Sequence, residues 1–244
     1  MNADEAYQAA QQIRDFPIST QAKARHSVVF PYATYSPWLE DPLFLGFFNI
    51  AQPYTMVDHY RCFELWKLTQ QTTALGGDVL EVGVWRGGTG CLMAASARMA
   101  ISSAQIILCD TFTGVVKASN MDSQYVGGEH SDASPEQVKE LVARLSIDNI
   151  LILQGIFPEE TGDKVADRRF SLCHIDVDVY ESARGVFDWV WPRLLIGGGV
   201  VFDDYGARYT DGVTRFVNER YGKPGSLTLH NLNGHAVMVK LAES

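Results

Sequence analysis

The amino-acid sequence predicts an α/β fold: a mostly parallel sheet with an antiparallel edge and helices on both faces. Three observations carry this. Residues 76–90, Gly-Gly-Asp-Val-Leu-Glu-Val-Gly-Val-Trp-Arg-Gly-Gly-Thr-Gly, read as a turn, a short buried strand, a glycine-rich loop and a helix start. Further apolar strands alternate with helical stretches and end on acids, at Asp110, at Asp176 and at Asp203-Asp204. The last two strands, joined at Asn231-Leu232-Asn233-Gly234, read as a hairpin. A strand that empties into a glycine loop and a helix N-terminus is how α/β folds bind nucleotides at the carboxyl edge of a sheet.

Each element has a local reason. Residues 6–14 suit a polar helix, whereas residues 30–53 are rich in aromatics and proline and suit a packed, irregular arm. Such an arm would be sticky if exposed, so it is expected to cover the site or a subunit interface of a homo-oligomer. Residues 57–73 form a helix with Tyr60, Phe63, Leu65, Trp66 and Leu68 on its apolar face. Strand 79–82 leads into helix 89–99, where Ala94, Ala95 and Ala97 favour helix and Thr89 suits the N-cap. Strand 105–109 ends on Asp110, and the polar loop 114–134 is long enough to serve as a mobile lid. Ser134-Pro135-Glu136-Gln137 then opens a helix with cap, N1 proline and N3 glutamine in order. Strand 150–153, a weak helix at 163–167, strand 170–176, helix 181–191, strand 198–202 and helix 212–221 follow. The closing hairpin pairs 227–229 with 236–239. This is the class I methyltransferase (Rossmann-like) architecture, with right-handed crossovers. The expected organisation is an N-terminal helical and aromatic arm over 1–53 and a single α/β domain over 54–244.

Composition narrows the function. The 244 residues suffice for one large core, and 46% hydrophobic with 20% charged residues is ordinary for a soluble globular chain. A net charge of −9 argues against a nucleic-acid partner, and no apolar run is long enough for a membrane span. The N-terminus is unlike a secretory signal. Cys62, Cys91, Cys109 and Cys173 show no paired metal-binding spacing, so reduced structural thiols in a cytoplasmic protein are expected.

The glycine loop lacks the Gly-Lys-Ser/Thr of a P-loop and the Gly-x-Gly-x-x-Gly of a dinucleotide site. Its Glu81, two residues before Gly83, suits a cationic ligand such as S-adenosylmethionine; the alternative is a tight turn with no ligand. Asp110 can bond a ribose diol or cap the turn at Gly114. Asp176, Asp203 and Asp204 all fall at strand ends on one sheet edge, where uncompensated carboxylates would repel. A hard divalent cation, Mg²⁺, resolves this. Asp203 and Asp204 can both contribute only if the chain turns after the strand, and Gly206 allows it. Asp178 lies two residues past Asp176, on the same face if the chain stays extended. Helix caps are the competing reading for these acids. His174 lies deeper in its strand and reads as a core histidine; His130, in the loop, could reach a substrate.

The chain resembles the macrocin O-methyltransferase family, antibiotic-sugar O-methyltransferases dependent on S-adenosylmethionine and Mg²⁺. The resemblance rests on Tyr54-Thr55-Met56-Val57 with Arg61, Leu80-Glu81-Val82-Gly83-Val84-Trp85-Arg86-Gly87-Gly88, Asp110-Thr111-Phe112-x-Gly114 and Ser131-Asp132-Ala133-Ser134. It continues through Gln154-Gly155-Ile156-Phe157, Asp176-Val177-Asp178-Val179-Tyr180-Glu181-Ser182 and Val201-Phe202-Asp203-Asp204-Tyr205. It implies that Asp176, Asp203 and Asp204 hold Mg²⁺ and that Asp178 is the general base. It also places Glu81, Gly83, Gly88, Thr89, Asp110, Thr111, Asp132 and Ser134 at the S-adenosylmethionine site, with Thr55 and Met56 closing over it. Val177 and Ile156 depart from the family pattern, which often has Gly and Trp there. The expected activity is Mg-assisted methylation of a sugar hydroxyl on a natural-product glycoside or a nucleotide sugar. A catechol-type enzyme acting on a phenolic diol and a non-catalytic S-adenosylmethionine-binding protein are the rivals.

Overall fold

The structure is a computed structural model and describes residues 2, 4–6, 8–9, 35–231 and 233–243. The chain divides into two units, Met1–Pro37 and Trp38–Ser244. In the first, residues 4–6 and 8–9 are helical, so helix begins before the expected residue 6. Asn2 and Glu5 cap it reciprocally, each backbone N–H donating to the other's side chain. The remainder of the expected helix, residues 10–14, lies outside the described residues, as does the aromatic stretch 30–34.

The second unit holds a seven-stranded sheet in the order β3-β2-β1-β4-β5-β7-β6. The strands are β1 (Asp78–Val82), β2 (Ile106–Asp110), β3 (Ile150–Gln154), β4 (Phe170–Ile175), β5 (Leu194–Phe202), β6 (Ser226–His230) and β7 (Ala236–Lys240). The first five run parallel, and β7 is antiparallel to both β5 and β6. Helices α1 (Pro42–Ala51), α2 (His59–Thr72), α3 (Gly88–Met99), α4 (Pro135–Leu145), α5 (Tyr180–Val190) and α6 (Asp211–Arg220) complete the fold. The expected weak helix at 163–167 is a short 3₁₀ turn, Gly162–Val165.

Strand alternation sorts the core into two layers. Val79, Leu108, Leu172 and Val201 face one way, with Leu65 and Trp66 of α2 and Leu92 and Met93 of α3. Leu80, Ile107, Cys173 and Phe202 face the other, with Val186 and Phe187 of α5 and Phe216 of α6. All four cysteines are free and buried, as their spacing suggested.

One expectation needs correction. The part of the aromatic stretch described here is not irregular, because residues 42–51 form α1. Asp41 is its N-cap, accepting from Phe44 N at 3.0 Å, and Pro42 occupies the first turn. Phe44 is fully buried, stacked on Phe48 and edge-on to Phe63 and Trp66. The helix is apolar nearly all round, so periodicity could not announce it. Truncating Phe44 to Ala should cost about 3–5 kcal/mol, as for buried aromatic residues elsewhere. Urea unfolding of Phe44→Ala measures this, and unchanged stability would place α1 outside the core.

Candidate active site

The order β3-β2-β1-β4-β5 reverses direction at β1, so the chain leaves β1 and β4 on opposite sides and opens a crevice above their carboxyl ends. The parallel ladder runs one residue past those ends. Gly83 N donates to Cys109 O (3.0 Å), Asp176 N to Val82 O (2.9 Å) and Asp203 N to Ile175 O (2.9 Å). Glycine loop and acids are therefore set in register by the sheet. Gly83, at φ +86°, is required here, since a Cβ would lie 1.6 Å from the Asp176 carbonyl oxygen.

Asp110 organises the loop after β1. Its Oδ2 accepts from Val84 N (2.7 Å) and Trp85 N (2.8 Å), and its Oδ1 accepts from Phe112 N (2.6 Å). A carboxylate has roughly four acceptor sites, so capacity for one ligand hydroxyl remains. Helix α3 starts one residue earlier than expected: Gly87, in the left-handed region, is its N-cap, and Thr89 makes no cap bond. A Cβ at Gly88 would lie 2.7 Å from both Thr55 Cβ and the Tyr54 carbonyl, so this glycine seats the Tyr54-Thr55 segment on the helix start.

A cavity of ≈ 260 Å³ joins this loop to the acids. Thr55, Met56, Gly83, Thr89, Asp110 and Thr111 line it, together with Asp176, Asp178, Asp203, Asp204 and His130. Glu81, Gly88, Asp132 and Ser134 are not among its lining residues. Glu81 is fully buried on the α3 side of the sheet, bonded to His174 Nδ1 at 2.9 Å. Asp132 accepts from Trp85 Nε1 (2.7 Å) and Arg86 Nη2 (2.6 Å), clasping the glycine loop from outside, and Ser134 caps α4 through Gln137 N.

Asp176, Asp178 and Asp204 present carboxylate oxygens within 4.8 Å of one another. The chain is not extended between the first two. Val179 N donates to Val177 O at 2.7 Å, closing a turn centred on Asp178 at φ +64°. After β5 the backbone turns as anticipated, with Asp204 at φ +58° and Gly206 at φ +84°. Left-handed conformations at two non-glycine residues mark a site held together by its surroundings. Neither acid caps a helix: Val179 and Thr210 are the N-caps of α5 and α6, without side-chain cap bonds.

The electrostatics show what this set lacks. Burial, with Asp203 nearby, drives the Asp176 carboxyl well above the carboxylate range. Burial and Asp204 carry Asp178 up to about 7, against the opposing Tyr125 hydrogen bond and His130. Burial and Asp203 also raise Asp204, although Arg61 opposes them. Asp203 behaves differently. It is 3% exposed and burial should raise it, but His174, His235 and Arg61 hold it far below the usual range. Three crowded carboxylates whose charged forms are disfavoured by burial and mutual repulsion are a donor set suited to a hard, oxygen-seeking dication.

His174 is fully buried, as expected of a core residue; burial lowers its pKa, but Asp203 and Glu81 lift it to about 10. Tyr125, His235 and Glu64 were not singled out by sequence. Tyr125 OH donates to Asp178 Oδ1 at 2.9 Å and lies 3.4 Å from His130 Nε2. Their only signal was position: one tyrosine in a long loop, one histidine at a hairpin, one glutamate on an amphipathic helix.

A reversing parallel sheet with an acid-stapled glycine loop and strand-end aspartates in one cavity is the framework of a class I, S-adenosylmethionine-dependent O-methyltransferase. The chain belongs to the macrocin O-methyltransferase (TylF) family, which residues 48–227 match. It is 30% identical over 194 residues to the 8-demethyl-8-(2,3-dimethoxy-alpha-L-rhamnosyl)-tetracenomycin-C 4'-O-methyltransferase of Streptomyces olivaceus, covering 75% of this chain and 74% of that one. It is also 30% identical over 142 residues to the mycinamicin III 3''-O-methyltransferase of Micromonospora griseorubida, covering 53% of this chain and 55% of that one. Among solved structures, the O-methyltransferase NovP superposes with a TM-score of 0.65 at 21% identity, over 78% of this chain and 83% of that chain. The calicheamicin methyltransferase CalS11 gives 0.64 at 17% identity, over 98% and 94%.

Replacing Asp110 by Ala would leave three loop N–H groups without their acceptor. Each stranded donor typically costs about 1–3 kcal/mol, so affinity for S-adenosylhomocysteine should fall roughly 10- to 100-fold. Calorimetry on Asp110→Ala tests this, and wild-type affinity would remove Asp110 from the cofactor loop's support.

Proposed function

We propose that this protein transfers the methyl group of S-adenosylmethionine to a sugar hydroxyl of a natural-product glycoside or nucleotide sugar, with Mg²⁺ held by Asp176, Asp203 and Asp204. The observation that carries the reading is that Asp176, Asp178, Asp203 and Asp204 line one cavity with the glycine loop and Asp110. Asp176, Asp178 and Asp204 lie within 4.8 Å of one another there, and Asp203 stands with His174 and His235. The rhamnosyl group in the name of the Streptomyces olivaceus relative supports the acceptor class.

Asp178 is the general base. Tyr125 occupies its Oδ1, which orients the carboxylate and leaves the other oxygen to take the hydroxyl proton. The sugar oxygen then attacks the methyl carbon as the carbon–sulfur bond breaks, releasing S-adenosylhomocysteine. Thr55, Met56, Gly83, Thr89, Asp110 and Thr111 would hold the donor, so that acceptor oxygen, methyl and sulfur lie in line. Bound Mg²⁺ would supply the positive charge that eases deprotonation of the acceptor. The loop residues Val115 and Val116 line the same cavity and help to exclude water.

Methyl transfer to deoxysugar glycosides, nucleotide sugars and catechols, measured with and without chelator, tests the assignment. The sugar acceptors should be methylated, with activity lost to chelator and restored by Mg²⁺. Methylation of catechols alone, or indifference to chelator, would overturn it. Asp178→Asn should slow single turnover by roughly 10²- to 10⁴-fold while leaving S-adenosylmethionine affinity intact. If that variant turns over normally, the base lies elsewhere.

A further inference from the structure

Behind the cavity lies a line of polar side chains that meets the reaction above only at Asp203. Glu64 of α2 meets His235 Nδ1 at 2.5 Å, and His235 Nε2 meets Asp203 Oδ1 at 2.8 Å. From the opposite side, His174 Nε2 lies 3.5 Å from the same Asp203 oxygen, and His174 Nδ1 meets Glu81. Arg61 donates to the remaining oxygen, Oδ2. Both histidines are fully buried. An ionised carboxylate only accepts, so His235 Nε2–H is the donor to Asp203 Oδ1.

The line is built rather than incidental. Asn231 Nδ2 donates to both Glu64 oxygens, at 2.8 and 2.7 Å. Asn231 Oδ1 accepts from His235 N, so the β6–β7 turn fixes glutamate and histidine together. On the other side, Glu81 and His174 are direct partners in the β1–β4 register. Burying such groups is unfavourable for stability compared with apolar packing, so the fold alone does not call for them. Asp203 is where the two arms meet, and it lines the cavity together with Arg61. It also stands beside Asp176 and Asp204, whose charge would otherwise push its carboxylate aside.

We propose that Glu64 and His235 are a positioning pair that aims the Asp203 carboxylate toward the cation site, braced from the far side by Glu81 and His174. This rests on the metal reading given above. Carboxylate–histidine pairs that orient a ligating group typically change metal affinity 10- to 100-fold when removed.

The test is Mn²⁺ uptake followed by electron paramagnetic resonance, with S-adenosylhomocysteine affinity measured on the same samples by calorimetry. Glu64→Ala removes the outer carboxylate at a partly exposed helix position, and His235→Leu removes the donor to Asp203. His235→Gln restores an amide donor near the Nε2 position. Glu64→Ala and His235→Leu should weaken Mn²⁺ binding by roughly 10- to 100-fold with S-adenosylhomocysteine affinity unchanged. His235→Gln should recover most of the loss. Variants that titrate like wild type overturn the proposal. So does a parallel loss of both affinities in Glu64→Ala, which would make the pair a general support of the fold. Metal analysis that finds a transition metal in the purified protein, lost in His235→Leu, would make the histidines ligands instead. Failure of the wild type itself to take up Mn²⁺ sinks the metal reading, and this inference with it.

Discussion

The site depends on a single close approach. The Asp176 carbonyl occupies the space where any side chain at Gly83 would begin. The end of β1 thus abuts the end of β4, and the ladder continues as far as Asp203 on one side and Gly83 on the other. Donor loop and acids cannot drift relative to each other without breaking sheet hydrogen bonds. Methyl transfer needs that rigidity, because the barrier is lowered mainly by holding oxygen, carbon and sulfur in line. Asp178 and Asp204 lie in tight turns that begin within three residues of these strand ends. The reactive geometry is therefore anchored on the sheet and finished by the two turns that leave it.

Charge is divided across this edge in an ordered way. On the rear wall, Asp203 is bonded by His235 and Arg61, and His174 Nε2 stands 3.5 Å from it. Arg61 also reaches Asp58 and, at 3.1 Å, Asp204, which makes it the link between the rear wall and the cavity. At the front, no basic side chain among the described residues is bonded to Asp176 or Asp178, and burial raises both. The unbalanced charge is thus confined to the part of the site open to ligands. A scaffold without catalysis would gain nothing from keeping those acids there.

Much of this was legible in the sequence, for a physical reason in each case. Strands followed by acids or glycines are punctuated by residue type, so β1, β2, β4 and β5 and their terminal residues could be placed within a residue or two of their observed ends, except for the early start of β5 at Leu194. Ser134-Pro135 fixed the start of α4 because capping is local chemistry. Helix α1 escaped because an apolar helix with no polar face carries no 3.6-residue signal. The burial of Glu81 escaped for another reason: its spacing from Gly83 was visible, but the partner that satisfies it, His174, lies 93 residues away. His235 and Glu64, 171 positions apart, meet only through the tertiary fold. Local chemistry locates elements, whereas pairings between distant side chains need the sheet.

The loop over 114–134 shows how these levels join. Its length suggested a lid free to move, yet it is tied down at several points. Asp122 Oδ1 accepts from Tyr180 N at the start of α5, standing in for the cap that Val179 cannot provide. Gly212 leaves room for that carboxylate, since a Cβ there would lie 1.9 Å from it. Ser182 Oγ donates to Val116 O, and Lys117 pairs with Glu159. The same loop delivers Tyr125 to Asp178, and α5 begins two residues after that acid. Whatever displaces the loop must uncap α5 and release the Asp178 carboxylate together. Access to the cavity and orientation of the proposed base are therefore one structural variable.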